Sequence, residues 1–234
     1  MDKRKVLVTA GNTRVPIDRV RGIDNIFKGR TGTRIAEYFT KQGCSVTLLC
    51  SHPHLVDVFP RDAVKTVRFT TYDELTAKME ELVTTGGFGT IIHSAAVSDY
   101  RRAGMYRRVG EAAGNERRQA MIVEEVDGSG KIGSNHDELW MKLVPTAKII
   151  DRIRKDWGFT GTLVKFKLQV AMSDEDLFKI AVRSMLDSQA DFIVANTLED
   201  MEKVAFIFSA REPDTFVSIP RADLPSALYA AVMR

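Results

Sequence analysis

Lys5-Val6-Leu7-Val8-Thr9-Ala10-Gly11 is the stretch whose reading decides the fold. It is a short apolar run closed by glycine, without the polar alternation of a surface strand. A strand apolar on both sides must be covered on both sides, as in a parallel sheet between two helical layers. A polar, glycine-bearing stretch follows, from Gly11 to Gly32. Thr33-Arg34-Ile35-Ala36-Glu37-Tyr38-Phe39 then has helical spacing and stops near Gly43. Ser45-Val46-Thr47-Leu48-Leu49-Cys50 is a second buried strand. Strand, helix and strand in that order make a βαβ unit and commit the sheet to parallel pairing.

The alternation continues outward. Residues 64–70 read as a strand, and 72–83 as an amphipathic helix with Leu75, Met79 and Leu82 on one side. Residues 90–97 read as a strand running into small residues, 147–157 as a helix and 161–170 as a strand. Ser173 caps the next helix, with Asp174, Glu175 and Asp176 in its first turn. A buried strand over 191–196, a hairpin of 204–209 with 216–219 and a helix over 224–233 close the chain. The expected class is α/β, a Rossmann-like parallel-sheet core with helices on both faces. One segment breaks the rhythm: 101–136 carries Gly104, Gly110, Gly114, Gly128, Gly130, Gly133 and many arginines. A loop of that length is usually functional or mobile; it reads as a flap or small subdomain inserted after the strand that ends at Val97, within a single nucleotide-binding domain spanning 1–234.

Bulk properties exclude several classes. A chain of 234 residues with 44% hydrophobic and 28% charged content can bury a core without disulfides. Cys44 and Cys50 flank one strand and read as core thiols. His52, His54, His93 and His136 lack metal-ligand spacing. The net charge of +3 gives no argument for nucleic acid. Arg101, Arg102, Arg107, Arg108, Arg117 and Arg118 have one aromatic, Tyr106, among them, so no nucleic-acid partner is expected. No apolar run approaches the ~20 residues that span a membrane, and no signal segment follows Met1-Asp2-Lys3-Arg4-Lys5. The expected location is the cytoplasm.

Ligands of doubly wound sheets bind beyond the carboxyl ends of the strands, and three segments lie there. Gly11 to Arg21 offers backbone amides and arginines to an anion, although it is not GxGxxG. Asp24 to Gly32 places Lys28, Gly29, Arg30 and Gly32 at the mouth of the first helix, where dipole and amides favour phosphate. Ser94 to Arg101 makes room for a base or substrate, and Asp99 could hold a phosphate-bridging Mg²⁺. A solvated loop, an ordinary helix start and a turn cap would use the same residue types. Leu163, Phe166 and Leu168 fit either core or pocket wall.

These stretches also carry a resemblance. Val8-Thr9-Ala10-Gly11-x-Thr13-Arg14-x-Pro16-Ile17-Asp18-x-Val20-Arg21 resembles the opening of phosphopantothenoylcysteine synthetases, T-A-G-x-T-x-x-x-I-D-x-V-R. Asp24-Asn25, then Gly29-Arg30-x-Gly32, is similar to that family's D/S-N-x-S-S-G-x-x-G. Ser94-Ala95-Ala96-Val97-Ser98-Asp99-Tyr100 is similar to its A-A-V-A/S-D-Y, and Ala190-Asp191-Phe192-Ile193-Val194-Ala195-Asn196 to its A-D-L-I-V-A-N. Gly130-Lys131-Ile132 matches the K-I that closes its flap. Order and spacing agree over nearly the whole chain.

The resemblance implies a ligase of coenzyme A synthesis. Its 4′-phosphopantothenate carboxylate attacks the α-phosphate of CTP or ATP, and cysteine's amine then attacks the acyl-nucleotide. It implies catalytic roles for Asn25 and Lys131, and contacts to pantothenate from Gly11, Asn12, Thr13 and Arg14. It implies nucleotide contacts from Lys28, Gly29, Ala95, Ala96, Asp99 and Phe166, with Mg²⁺ at Asp99. It further implies a homodimer with the flap near its interface. The flavin-binding decarboxylase domain fused to many relatives is missing, so no FMN is expected. Phe27 and Lys28 replace the family's two small hydroxyl residues, and Lys28 offers a point charge in their place. The family's K-x-P reads Pro145-Thr146-Ala147 here, with Lys142 and Lys148 nearby, and its G-F reads Lys165-Phe166. Two rivals share the fold class. An NAD(P)-dependent short-chain reductase would need an acidic residue where Cys50-Ser51-His52 stands and a Tyr-x-x-x-Lys pair. A non-catalytic nucleotide or metabolite sensor needs neither.

Overall fold

Strand β1 (Lys5–Ala10) runs through the middle of an eight-stranded sheet, with Val6, Leu7 and Val8 fully buried. The computed structural model describes residues 2, 4–56, 64–112 and 120–234. After β1 come the two-residue strands β2 (Val15–Pro16) and β3 (Gly22–Ile23), which pair with each other, and helix α1 (Arg30–Lys41). Strands β4 (Ser45–Cys50) and β5 (Lys65–Arg68), helix α2 (Tyr72–Thr85) and strand β6 (Thr90–His93) follow. A separate antiparallel sheet is built from β7 (Tyr100–Ala112), β8 (Ala120–Glu125) and β9 (Leu139–Pro145). Helix α3 (Ile149–Lys155), β10 (Thr162–Gln169), α4 (Asp174–Asp187), β11 (Phe192–Thr197), β12 (Val204–Ser209), β13 (Glu212–Pro220) and α5 (Leu224–Met233) complete the chain.

The main sheet has the order β13-β12-β11-β10-β6-β1-β4-β5. It is parallel from β5 to β11, while β12 and β13 add an antiparallel edge. Strand order reverses at β1, with β4 on one side and β6 on the other. That reversal opens a crevice beyond the carboxyl ends of β1 and β6.

Both faces are covered, as the apolar strands require. Leu7, Ile91, Leu163 and Ile193 pack with Leu75 and Met79 of α2, Ile149 and Ile153 of α3, and Leu177 and Met185 of α4. Val8, Leu48, Ile92 and Val164 pack with Ile35 and Phe39 of α1 and Leu228 of α5. Each fully buried side chain of this size contributes about 1.5–3 kcal/mol. The Phe39 and Tyr229 rings meet edge to face at 5.2 Å, joining α1 to α5. Helix α1 ends where Gly43 takes φ +80° and Cys44 N–H donates to the Phe39 carbonyl, the left-handed stop glycine favours. Ser173 caps α4 by accepting from the Asp176 N–H at 3.2 Å.

Core strands and helices fall where the apolar pattern puts them, with shifts at the ends. The strand expected over 90–97 leaves the sheet after His93, because the Ser94 hydroxyl and Ala95 N–H turn back onto Thr9. The inserted segment forms a small sheet of its own rather than a bare loop: among its described residues, 101–112 and 120–125 are strand. Its sheet extends through Pro145, with register shifts at Arg102/Gly104 and Arg108/Gly110. Glycine at such irregularities costs the ladder little, and the composition that reads as loop is the composition of a bulged strand. No helix among the described residues is long and apolar enough to cross a membrane.

Candidate active site at the tips of strands β1 and β6

The site begins with a glycine contact. Gly11 ends β1 at φ +91° and Gly29 precedes α1 at φ +99°. A Cβ on Gly29 would stand 2.3 Å from the Gly11 nitrogen, and one on Gly11 would stand 2.0 Å from Ser51 Oγ. At Gly32 a Cβ would meet Ser94 Oγ at 2.5 Å and Ala10 Cβ at 2.8 Å. Three glycines thus let the start of α1 rest against the strand tips. No side chain caps Gly29, so the first-turn amides and the positive end of the helix dipole are left for an anion or water to satisfy.

The loop from Gly11 to Gly29 is braced on both sides. Buried Asn12 donates its N–H to Ser51 Oγ at 2.9 Å, and its side-chain amide donates to the Asn25 carbonyl. Thr13 N–H donates to the Ala96 carbonyl at 3.1 Å, Ala96 N–H to the Gly11 carbonyl at 2.8 Å, and Ser98 N–H to Thr13 Oγ1 at 2.8 Å. Gly11, Asn12, Thr13, Ala95 and Ala96 are therefore brought together. Arg14 forks onto Asp24 at 3.0 and 2.9 Å, which holds the Asp24 carboxyl below its usual range. Lys28 lies 3.8 Å from Asp24 and 3.4 Å from the Asn25 carbonyl. Asn25 is exposed. Its Oδ1 accepts from the Phe27 N–H at 3.0 Å, which leaves its side-chain NH₂ as the group it can offer to a ligand.

The flap reaches the same loop. Arg19 N–H donates to the Gly130 carbonyl at 3.2 Å, Ile132 N–H to Asp18 Oδ2 at 3.1 Å, and an Arg21 Nη to the Ile132 carbonyl at 2.8 Å. Lys131, between these anchors, is exposed. Two of the expected residues stand apart. Asp99 is exposed, with its carbonyl accepting from Thr146 N–H at 2.9 Å and its carboxylate without a partner among the described residues. Phe166 is half-buried against the core shared with α1 and α5. Neither touches the Gly11–Gly29 contact through any hydrogen bond among the described residues.

Several groups here carry no sequence motif. Thr9, His93 and Lys165 sit in register on β1, β6 and β10. Thr9 Oγ1 and His93 Nδ1 are 3.0 Å apart. Burial, and secondarily Lys165, push the His93 pKa down to about 4. Lys165 donates to the Ser184 carbonyl at 2.8 Å, Ser184 Oγ at 2.9 Å and Ser188 Oγ at 2.8 Å, and burial pushes it down to about 8. Arg221 joins the start of α1 to the end of β11, donating to Thr31 Oγ1 at 2.7 Å and Asn196 Oδ1 at 3.1 Å. A cavity of about 260 Å³ opens beyond β4 and β5, lined by Asn12, Arg14, Asp24, Ser51, His52, His54, Arg68 and Thr70. Another of about 610 Å³ lies at the flap, lined by Arg102 to Met105 and Glu125 to Ser129. Asn12, Arg14, Asp24 and Asn196 fall within the motifs read from the sequence, whereas the pairing of Lys165 with α4 and of Arg221 with α1 left no local signal.

Comparison with known proteins fits this arrangement. The family model described as the DNA/pantothenate metabolism flavoprotein C-terminal domain matches residues 1–113. The coenzyme A biosynthesis bifunctional protein CoaBC of Thermococcus kodakarensis is 30% identical over 199 residues, which is 85% of this chain and 42% of that protein. The family-model match covers just under half of this chain. The CoaBC protein of Haemophilus influenzae is also 30% identical, over 82% of this chain and 40% of its own length. The chain spans about two fifths of the length of these curated relatives. Among solved structures, the DNA/pantothenate metabolism flavoprotein from Streptococcus pneumoniae superposes with a TM-score of 0.78 at 26% identity, covering 98% of each chain. A Cab2 variant solved with phosphopantothenate-cysteine has the same fold, with a TM-score of 0.71 at 18% identity over 99% of this chain and 86% of that one.

Proposed function

We propose that this chain is a phosphopantothenate–cysteine ligase driven by a nucleoside triphosphate. The observation that carries the reading is that one loop, 11–29, does two jobs. It forms the glycine contact at the start of α1, and it holds Gly130–Ile132 of the flap. An anion seated on α1 and the Lys131 ammonium therefore share one support. The phosphopantothenate-cysteine in the Cab2 variant and the names of the CoaBC relatives support the substrate class.

In the proposed reaction the phosphopantothenate carboxylate attacks the α-phosphorus of CTP or ATP. The bond to the pyrophosphate oxygen breaks and pyrophosphate leaves. The cysteine amine then attacks the acyl carbon, the nucleoside monophosphate leaves and the amine proton goes to solvent or the leaving phosphate. The Asn25 NH₂ donates to the oxygen that gains charge as the acyl carbon becomes tetrahedral. Lys131 neutralises phosphate charge, and the flap excludes water from the labile acyl phosphate. Gly11, Asn12, Thr13 and Arg14 line the pantothenate side. Lys28, Gly29, Ala95, Ala96, Asp99 and Phe166 serve the nucleotide. No cluster of three or more His, Cys, Asp or Glu side chains suited to a metal occurs among the described residues. The unpartnered Asp99 carboxylate suits Mg²⁺, which takes one or two protein carboxylates and leaves its other positions to phosphate and water; bound there, the ion would offset triphosphate charge.

The reading includes a homodimer, supported by exposed Val109, Ile122, Val123, Leu139, Trp140 and Leu143 on the flap sheet, and a cytoplasmic location. Pyrophosphate release with CTP or ATP, phosphopantothenate and cysteine tests it. Release that depends on all three components is expected. Release at background with every nucleotide would remove the ligase reading and leave the sensor.

A further inference from the structure

Asp18 is a buried carboxylate outside every role assigned above. Its side chain is fully shielded from solvent, yet it accepts five hydrogen bonds. Oδ1 takes the N–H groups of Val20 at 2.8 Å and Arg21 at 2.7 Å. Oδ2 takes Arg21 Nε at 3.0 Å, Arg21 Nη2 at 2.6 Å and the Ile132 N–H at 3.1 Å. The Arg21 side chain, helped by the Arg21, Val20 and Ile132 N–H groups, holds the Asp18 carboxyl far below the usual range, so it stays an anion at every working pH.

The outcome is a two-sided grip on one flap residue. Asp18 takes the N–H of Ile132 while Arg21, fixed by Asp18, donates to the carbonyl of the same residue. Arg19 N–H holds Gly130 from the other side of Lys131. Ile132 itself is 3% exposed, so its side chain anchors the same point by burial. The gripping turn is closed by the Ile17 and Asp18 N–H groups on the Arg21 carbonyl and stands on the β2–β3 ladder. Arg102 Nη1 ties Ile17 to the flap strand β7 at 2.5 Å. The Arg21 side chain is 44% exposed, but the Asp18 carboxylate is shielded from solvent, so leaving its charge-assisted bonds half-made is costly, which favours one position for the backbone on either side of Lys131.

We propose that Asp18 is a positioning residue that sets the Lys131 ammonium over the reacting phosphates by fixing Ile132, with Arg21 as its second jaw. This rests on the reading of Lys131 given above. Asp18→Asn keeps an oxygen for the Val20 and Arg21 N–H groups but removes the acceptor for Ile132 N–H and the charge that orients Arg21. A displacement of about 1 Å at a reacting group lowers turnover about a hundredfold, so kcat should fall by roughly ten- to a hundredfold with a smaller change in KM.

The decisive measurement is a double-mutant cycle of Asp18→Asn with Lys131→Gln, read with amide hydrogen exchange at Gly130–Ile132 in the substrate-free protein. If Asp18 acts through Lys131, the double variant turns over about as slowly as the slower single variant, and exchange at Ile132 speeds up in Asp18→Asn. Losses that multiply, unchanged exchange at Ile132, or a Lys131→Gln variant as fast as wild type would each overturn the proposal. Arg21→Lys, which keeps the charge but loses the fork, gives the same comparison if Asp18→Asn fails to fold. Wild-type protein that releases no pyrophosphate with any nucleotide would instead sink the ligase reading. The exchange arm still separates that failure from failure of the clamp.

Discussion

Gly29→Ala puts the central contact of the site under direct test, because Gly43 offers a matched control. Both glycines have positive φ, +99° and +80°. A Cβ on Gly29 would stand 2.3 Å from the Gly11 nitrogen, 2.8 Å from its Cα and 3.1 Å from the Ala10 carbonyl carbon, whereas a Cβ on Gly43 meets nothing within 4 Å. Gly43→Ala therefore costs the left-handed strain alone, about 1–2 kcal/mol. Gly29→Ala adds overlap with backbone that no rotamer change can relieve, about 1–3 kcal/mol more, for a total of about 2–5 kcal/mol. At about 2–4 °C per kcal/mol for a chain of this size, the expected falls are roughly 2–8 °C for Gly43→Ala and 4–20 °C for Gly29→Ala. Scanning calorimetry reads the stability difference, and titration calorimetry with CTP and ATP reads nucleotide binding. Binding should weaken only in Gly29→Ala, since pushing the two backbones apart turns the α1 amides away from the anion. Equal losses of Tm in the two variants would refute the packing argument. Unchanged nucleotide affinity in Gly29→Ala would refute the anion role.

Three further outcomes follow from the geometry. Asn25→Asp keeps an oxygen for the Phe27 N–H but loses the donor to the developing oxyanion, so turnover should fall about 10²–10³-fold at nearly unchanged Tm; wild-type turnover would remove Asn25 from the chemistry. Asp99→Asn should raise the Mg²⁺ concentration for half-maximal rate by roughly ten- to a hundredfold, and an unchanged Mg²⁺ curve would free Asp99 of that role. His93 has its folded pKa lowered to about 4 from 6.5, so the unfolded chain binds the extra proton first and stability falls as pH drops through that window. The loss approaches about 3 kcal/mol in urea titrations and should vanish in His93→Gln; a further loss below about pH 4 belongs to Asp18 and Asp24, whose carboxyls are held low.

The core was legible because its pattern is redundant. Strands such as Lys5–Ala10 and Ser45–Cys50 are apolar on both faces, and nothing but a doubly covered sheet satisfies them. Glycine spacing likewise exposed Gly11, Gly29 and Gly32, since each position tolerates no Cβ. The flap sheet was illegible for the opposite reason. Its strands leave Val109, Ile122, Trp140 and Leu143 exposed, so side-chain alternation carries no burial signal, and its glycines imitate a loop. Lys165 was hidden differently. In the sequence it shows only as part of the 161–170 strand and as a departure from the family's G-F, and only the meeting of β10 with Ser184 and Ser188 of α4 gives its ammonium three acceptors. Long-range partners of this kind have no local trace.

The division of labour in the loop 11–29 explains why so little of the site's chemistry sits on regular elements. Where the strand tip meets the helix start the residues are glycines, Gly11 and Gly29, so that point presents backbone alone. The loop between them is held at one end by Asn12 and Thr13 against β6 and its exit, at its middle by the Asp18 clamp, and at the other end by Gly29 on Gly11. Three anchor points hold it, while the flap it grips carries a lysine from a different part of the chain. Loosening Asp18 releases Lys131 and leaves the glycine contact intact; loosening Gly29 does the reverse. The two perturbations should therefore separate nucleotide affinity from turnover, which is the behaviour expected if binding and charge neutralisation are built into opposite ends of one loop.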